Sequence, residues 1–141
     1  SNHARPGCES RHNLVYWRQG DWAAVGPGAH GRLTLPSGRV ATEAHRMPGA
    51  WLAAVEAEGT AETLREFIPH DEQATEDLLM ALRLREGLDE ARHAALAGRP
   101  VDEAAVASLV QMGMVHRRDG RLMATDAGRP VLNAILRELA A

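Results

Sequence analysis

The 141 residues predict an α+β chain: a mainly helical C-terminal part with a winged-helix-like end, preceded by an extended segment from the end of a larger sheet or barrel. Three observations carry this. Before residue 46, Gly7, Gly20, Gly26, Gly28, Gly31 and Gly38, with Pro6, Pro27 and Pro36, interrupt every periodic run. From Pro48 onward, apolar residues recur at helical spacing between caps and glycine stops. Near the end, Asp119-Gly120 breaks that pattern with a strong two-residue hairpin signal, and one more apolar stripe follows. The chain is therefore divided into residues 1–46 and 47–141.

In the first part, Trp22–Val25 is a candidate strand. Leu33-Thr34-Leu35 and Arg39-Val40-Ala41, joined through Pro36-Ser37-Gly38, read as a hairpin. Pro48 suits a first helical position, Trp51, Leu52 and Val55 supply a stripe, and Gly59 ends that helix. Residues 62–68 read as extended. Asp71 is expected to cap the longest helix, whose Ala74, Leu78, Leu79 and Leu82 recur until Gly87. Asp89 opens a short helix closing at Gly98, and Asp102 a further one closing at Gly113. Met114–Arg117 and Arg121–Ala124 flank the hairpin turn, and Thr125 or Asp126 is expected to cap the last helix through Leu139.

Apolar residues make up 45% of the chain but aromatics only 4%, so the core must be Ala, Leu and Val, and each aromatic becomes conspicuous. Of Tyr16, Trp17, Trp22, Trp51 and Phe67, three fall within residues 16–22. Charge is uneven too. Six Arg against Glu9, Asp21 and Glu43 leave residues 1–46 at +3, and the remainder is at -6. An Arg- and His-rich segment beside an acidic helical body suggests an anionic ligand at the N-terminal end. Cys8 is the one thiol, which rules out an internal disulfide and any Cys-based metal cage. No apolar run approaches the ~20 residues of a membrane span and no signal peptide is visible, so a cytoplasmic protein is expected.

The run His12-Asn13-Leu14-Val15-Tyr16-Trp17 gathers imidazole, phenol and indole, the groups that suit a flat aromatic ligand with a metal at its centre. If helical, His12, Asn13, Tyr16 and Trp17 share a face; if extended, His12 and Tyr16 lie opposite Asn13 and Trp17. Either form lets imidazole or phenolate reach haem iron while indole stacks on the ring. Arg5, Arg11, Arg18 and Arg32 are then available for porphyrin carboxylates. The structural alternative is a Trp and Tyr plugging a barrel end. The loop Gly26-Pro27-Gly28-Ala29-His30-Gly31 can cradle a ligand or simply turn; it matches neither a phosphate-binding loop nor a dinucleotide fingerprint. His30 is the second candidate to face haem, through this loop, with Gly26 and Gly28 as its close-approach positions. No catalytic grouping is seen, and no metal ligand is fixed: His12 is a candidate for haem iron, with His30 and Tyr16 as alternatives.

A winged helix raises the question of DNA. The helix that would enter the groove, 102–112, carries Asp102, Glu103, Ser108 and Gln111 and no Arg, leaving Arg117, Arg118 and Arg121 as the favourable charges. Acidic residues repel phosphate, so a packing role is expected and no nucleic-acid partner.

At these residues a resemblance emerges. Ser1 to Gly7, Arg11 to Trp17, Gly20-Asp21-Trp22, Gly26 to Gly31, Leu82 to Asp89, and Thr125 to Gly128 with Asn133 resemble the radical SAM proteins of the oxygen-independent coproporphyrinogen III oxidase-like family, which includes HemW-type haem chaperones. The resemblance covers essentially the whole chain. It implies that residues 1–46 close a partial α/β radical SAM barrel and that 47–141 are a HemN-type C-terminal domain. It implies a parent whose C-x-x-x-C-x-x-C motif holds a 4Fe–4S cluster with S-adenosylmethionine. The chaperone branch binds haem and is proposed to deliver it to respiratory proteins; the oxidases decarboxylate coproporphyrinogen III. The His-Asn-x-x-Tyr-Trp motif of the chaperone branch, tied to haem, falls on His12, Asn13, Tyr16 and Trp17. This sequence departs from the family in lacking the three-cysteine motif, and in Ala24 where relatives commonly have glycine. The expectation is a haem-binding C-terminal segment, inactive alone, whose partners are haem or porphyrin and an upstream barrel.

Overall fold

A computed structural model describes residues 4–5 and 7–140; His3 and the opening Ser1-Asn2, with Pro6 and Ala141, lie outside the described residues. The described chain is mixed α and β, with six α-helices, one 3-10 turn and two three-stranded antiparallel sheets among those residues. It separates into two compact units, one made of the residues up to Gln19 with His70 onward, the other of Gly20–Pro69. These units follow packing. The division expected at residue 46 does not coincide with them.

The Gly20–Pro69 unit is a meander. Strands β1 (His30–Leu35) and β2 (Gly38–Ala44) form the expected hairpin, β1 starting earlier and β2 running longer than predicted, and β3 (Glu62–Phe67) pairs with β2 to give the order β1-β2-β3. Trp22 adds only an isolated bridge to Arg32, so Trp22–Val25 is not a strand. Helix α2 (Pro48–Glu58) begins with Pro48 in its first turn and stops at Gly59, whose φ of 73° is the left-handed cap that glycine adopts without strain. Its stripe is not sequestered: α2 has no buried residue, and Leu52 is half exposed.

The other unit holds the main core. Helix α3 (His70–Ala81) is followed by a turn, the short strand β4 (Leu88–Asp89), helix α4 (Glu90–Ala97) and helix α5 (Glu103–Gln111). Strands β5 (Val115–Arg118) and β6 (Arg121–Ala124) come next, and helix α6 (Leu132–Leu139) closes the unit. The sheet order is β4-β6-β5. Asp89 and Asp102 cap α4 and α5 as expected, accepting from the Arg92 amide and from those of Ala104 and Ala105. Asp119 and Gly120 both have positive φ, 51° and 73°, the conformation a tight two-residue hairpin demands.

Three boundaries differ from expectation. Asp71 lies inside the first turn of α3, not at its cap, so its charge meets the helix dipole instead. The same helix stops at Ala81 although apolar residues continue, because the chain must turn to bring Leu88 beside Leu122. Gly87, at φ 68°, is the pivot: a Cβ there would strike the Leu122 backbone. At the other end, the Thr125 hydroxyl accepts from the Gly128 amide at 3.0 Å, capping a turn that passes through the 3-10 residues Arg129–Val131 before α6 begins. Leu78, Leu82, Leu88, Val106, Leu122, Ile135 and Leu136 form the centre of one apolar cluster. Full burial of each Leu or Ile contributes roughly 2–3 kcal/mol, which is why this unit is the more tightly held.

Candidate functional site

The His12–Trp17 run is helical. Helix α1 (Arg11–Trp17) starts after Ser10, whose hydroxyl accepts from the Asn13 amide at 3.4 Å, and none of its residues is buried. The helix puts His12 and Tyr16 one turn apart. The Tyr16 hydroxyl lies 2.6 Å from His12 Nε2, and the rings meet edge to face, centroids 4.8 Å apart. Asn13 and Trp17 are partly buried, and the guanidinium of Arg83 sits 5.8 Å from the Trp17 ring, within cation–π range. Of the arginines expected near this helix, Arg11 is exposed, whereas Arg18 is engaged: Nε and Nη2 each donate to Glu86 at 2.9 Å. That pairing raises the pKa of Arg18 and lowers that of Glu86.

The glycine loop belongs to the other unit. Gly26 and Gly28 adopt φ of 113° and 68°, and the Gly28 amide donates to the His45 carbonyl at 2.8 Å, which fastens the loop. His30 opens β1 opposite Glu43, and its Nδ1 lies 3.3 Å from a Glu43 carboxylate oxygen. The Trp22 indole donates to the His30 carbonyl at 2.8 Å, which secures this strand. Behind it, Asp21 accepts from the Thr34 amide at 3.0 Å, the Thr34 hydroxyl at 2.8 Å and the buried Arg39 at 3.1 Å. These bonds hold the Asp21 carboxyl below the ordinary range, the Thr34 amide first among them. The candidate residues thus fall into two sets. His12, Asn13, Tyr16, Trp17, Arg11 and Arg18 share α1 and its end; Gly26, Gly28 and His30 share one loop and strand of the second unit.

A model of the HemN C-terminal domain matches residues 68–131, from just before α3 to the residue before α6. That stretch of the chain is similar to the HemN C-terminal domain. Among curated relatives, "Heme chaperone HemW" of Mycobacterium tuberculosis is 37% identical over 143 residues, which is 99% of this chain and 33% of that protein. "Heme chaperone HemW" of Escherichia coli is 52% identical over 40 residues, 28% of this chain and 11% of that protein. The solved structure of coproporphyrinogen III oxidase (HemN) from Escherichia coli, described as a radical SAM enzyme, superposes with a TM-score of 0.64 at 16% identity, over 98% of this chain and 35% of that one. This last likeness is one of fold. The chain spans about a third of the length of the curated relatives it matches over most of its own length.

Within the matched stretch, Arg117 and Arg121 of the hairpin are paired internally. Arg117 donates to Glu103 through both terminal nitrogens, at 2.8 and 2.7 Å, and to Glu90 at 3.0 Å, which raises its own pKa and lowers that of Glu103. Arg121 donates to the carbonyls of Glu86 and Gly87 at 2.6 and 2.8 Å and lies 3.4 Å from Asp89. Arg118 pairs with its exposed neighbour Asp119 at 3.3 Å.

The buried polar residues of the domain carried no motif. Asp77 is 3% exposed and sits 3.8 Å from Arg92; its Oδ2 has no hydrogen-bond partner among the described residues, and neither has His93 Nδ1. Burial raises the Asp77 pKa, opposed by Arg92 and His93, while burial lowers that of His93. Gln19 is 8% exposed and lies in the left-handed region at φ 52°. One signal was present in the sequence: Gln73 and Asp77 are interleaved with Ala74, Leu78 and Ala81, which places polar groups on the apolar face of α3. No group of His, Cys, Asp or Glu suited to a metal ion occurs among the described residues, and no described helix is long and apolar enough to cross a membrane.

Proposed function

We propose that this chain is the C-terminal segment of a HemW-type haem chaperone, with α1 as its haem-facing element and no catalysis of its own. The observation that carries the reading is the His12–Tyr16 pair, hydrogen-bonded at 2.6 Å on a helix with no buried residue. Two groups able to ligate ferric iron stand together where a planar ligand can approach them. An iron taking His12 Nε2 displaces the phenol from it, and an exposed hydrogen bond nets only about 1 kcal/mol. Tyr16, deprotonated, is the alternative ligand. Trp17 beside the pair supplies an apolar ring, and Arg11 is placed to meet a propionate. Haem here is cargo. The relatives named as haem chaperones, matched along nearly the whole chain in Mycobacterium tuberculosis and Bacillus subtilis, support this assignment over an oxidase parent, for which the support is fold alone.

His30 is given no ligand role in this reading: with Glu43 beside Nδ1 and its carbonyl bound by Trp22, it serves the loop, and Gly26 and Gly28 shape the turn. Residues 1–46 are assigned to the end of a radical SAM barrel, the upstream partner, and the cargo would pass to respiratory proteins. The barrel's 4Fe–4S cluster and S-adenosylmethionine do not belong to this chain. Such a cluster takes several thiolates, and the chain has Cys8 alone, which is exposed. Helix α5, the β5–β6 hairpin and α6 are assigned as a winged helix used for packing, since Arg117 and Arg121 already answer internal acceptors that phosphate would have to displace.

Titration with ferric haem, followed in the Soret band, tests the assignment. The wild-type chain is expected to bind with an axial-ligand spectrum that His12→Ala and Tyr16→Phe alter. Identical spectra for all three proteins would remove the pair as the ligand site. Joining the upstream barrel and assaying coproporphyrinogen decarboxylation without oxygen separates the chaperone from the oxidase parent; turnover there would favour the oxidase.

A further inference from the structure

We infer that Gln19, with Arg92 and Glu86, forms a clasp of positioning residues that sets the direction of α1 and thereby presents the His12–Tyr16 pair; this deepens, and rests on, the haem-facing reading of that pair. Helix α1 is seven residues long and buries none of them. A helix so short does not persist by itself, because its nucleation is unfavourable and too few bonds follow. Its N-terminal cap bond is long, at 3.4 Å. What holds it lies at the other end, in the two residues that follow Trp17.

Three neighbours converge there. Glu86, in the turn between α3 and β4, takes both donors of Arg18 at 2.9 Å. Gln73 of α3 accepts from Gln19 Nε2 at 3.0 Å through its carbonyl. Arg92 of α4 donates to Gln19 Oε1 at 3.3 Å and to the Arg18 carbonyl at 3.4 Å. Both ends of the Gln19 amide are therefore used, and the side chain is buried. Its backbone at φ 52° occupies the position after a helix where glycine is usual, a conformation strained for glutamine. Glycine would relieve the backbone and lose every side-chain bond. That a glutamine stands here, bonded at both ends, points to the bonds as the reason. Arg92 also faces Asp77 at 3.8 Å, so the clasp is anchored on a carboxylate inside the domain.

Gln19→Gly and Arg92→Lys test this in the 141-residue chain. The first suits the backbone and removes the amide; the second keeps a charge but has its donors on one nitrogen, without the planar fork that reaches Gln19 Oε1 and the Arg18 carbonyl together. Amide exchange at residues 14–19 is expected to speed up about tenfold or more in both, with Val115 and Leu122 amides unchanged as an internal control. Ferric haem is expected to bind at least about fivefold more weakly in both variants, with an altered Soret spectrum, and Gln19→Glu, which keeps the acceptor for Arg92, to fall between them and wild type. Unchanged exchange at residues 14–19 overturns the clasp. So does faster exchange with wild-type haem affinity and spectrum, if His12→Ala alters that spectrum. If the wild-type chain takes no haem through His12, the haem reading fails, and exchange at residues 14–19 then decides the clasp by itself.

Discussion

Leu122→Ala is the sharpest test of how the domain is held together. Leu122 occupies the central strand β6, opposite Leu88 on one side and Arg117 on the other, and none of its surface reaches solvent. It belongs to the apolar cluster of Leu82, Val106 and Ile135. Truncation removes three carbons, worth roughly 2.5 kcal/mol at about 0.8 kcal/mol per buried methylene. The cavity left behind adds to this, since strands paired on both sides cannot close over it; such sites fall in the upper part of the ~2–5 kcal/mol range for Leu→Ala. A loss of about 3–4 kcal/mol is therefore expected, a large share of the ~5–15 kcal/mol available to a domain. Amide exchange at the most protected residues of β5 and β6 reads it directly. That loss corresponds to exchange faster by two to three orders of magnitude at about 1.4 kcal/mol per decade. Leu122→Met, which keeps the volume, should cost less than about 1.5 kcal/mol. A change under about 1 kcal/mol for the alanine variant would refute the placement of Leu122 at the centre of the core.

The remaining predictions concern pH. Asp77 has its pKa raised by burial, so the folded domain binds its proton more tightly than the unfolded chain does; stability falls as pH climbs above the ordinary carboxylate range. Asp77→Asn should accordingly stabilise the domain at pH 7 and have no stabilising effect near pH 3, measured as the urea midpoint at each pH; an equal effect at both would contradict the burial cause. Asp21 behaves oppositely. Its carboxyl is held low by Thr34 and Arg39, so its contribution is present above the unfolded pKa of ~3.9 and vanishes as pH falls through the lower folded value. In Asp21→Asn the acid-induced loosening of the β1–β2 hairpin should shrink, followed by exchange at the Thr34 amide. The effect will be small, because the Asp21 side chain is 45% exposed. His93, whose pKa burial lowers, should weaken the domain as pH drops below ~6.5, and His93→Gln should flatten that part of the profile.

Local signals carried much of the fold. Asp89 and Asp102 were readable as caps because a cap needs only its own helix's first amides, two or three residues away. Asp119-Gly120 was readable because two positive φ angles in succession suit few residue pairs. The helix over Pro48–Glu58 was legible from its proline and glycine ends, though its stripe wrongly implied burial. The candidate site was half legible. The types at His12, Asn13, Tyr16 and Trp17 suggested their chemistry, but a six-residue run with mixed polarity fits helix and strand alike.

By itself, then, the order of residues determined the short-range features: which positions cap, which turn, and which side chains bring iron-ligating or carboxylate-binding chemistry. Only tertiary structure decided what those groups face. Helix α1 is pinned by Glu86, Gln73 and Arg92, between 54 and 74 positions along the chain, and Arg117 is neutralised by Glu90 and Glu103 instead of presented to a partner. Such pairings arise because folding places distant charges within a few ångströms, and nothing in a local run of sequence encodes that distance.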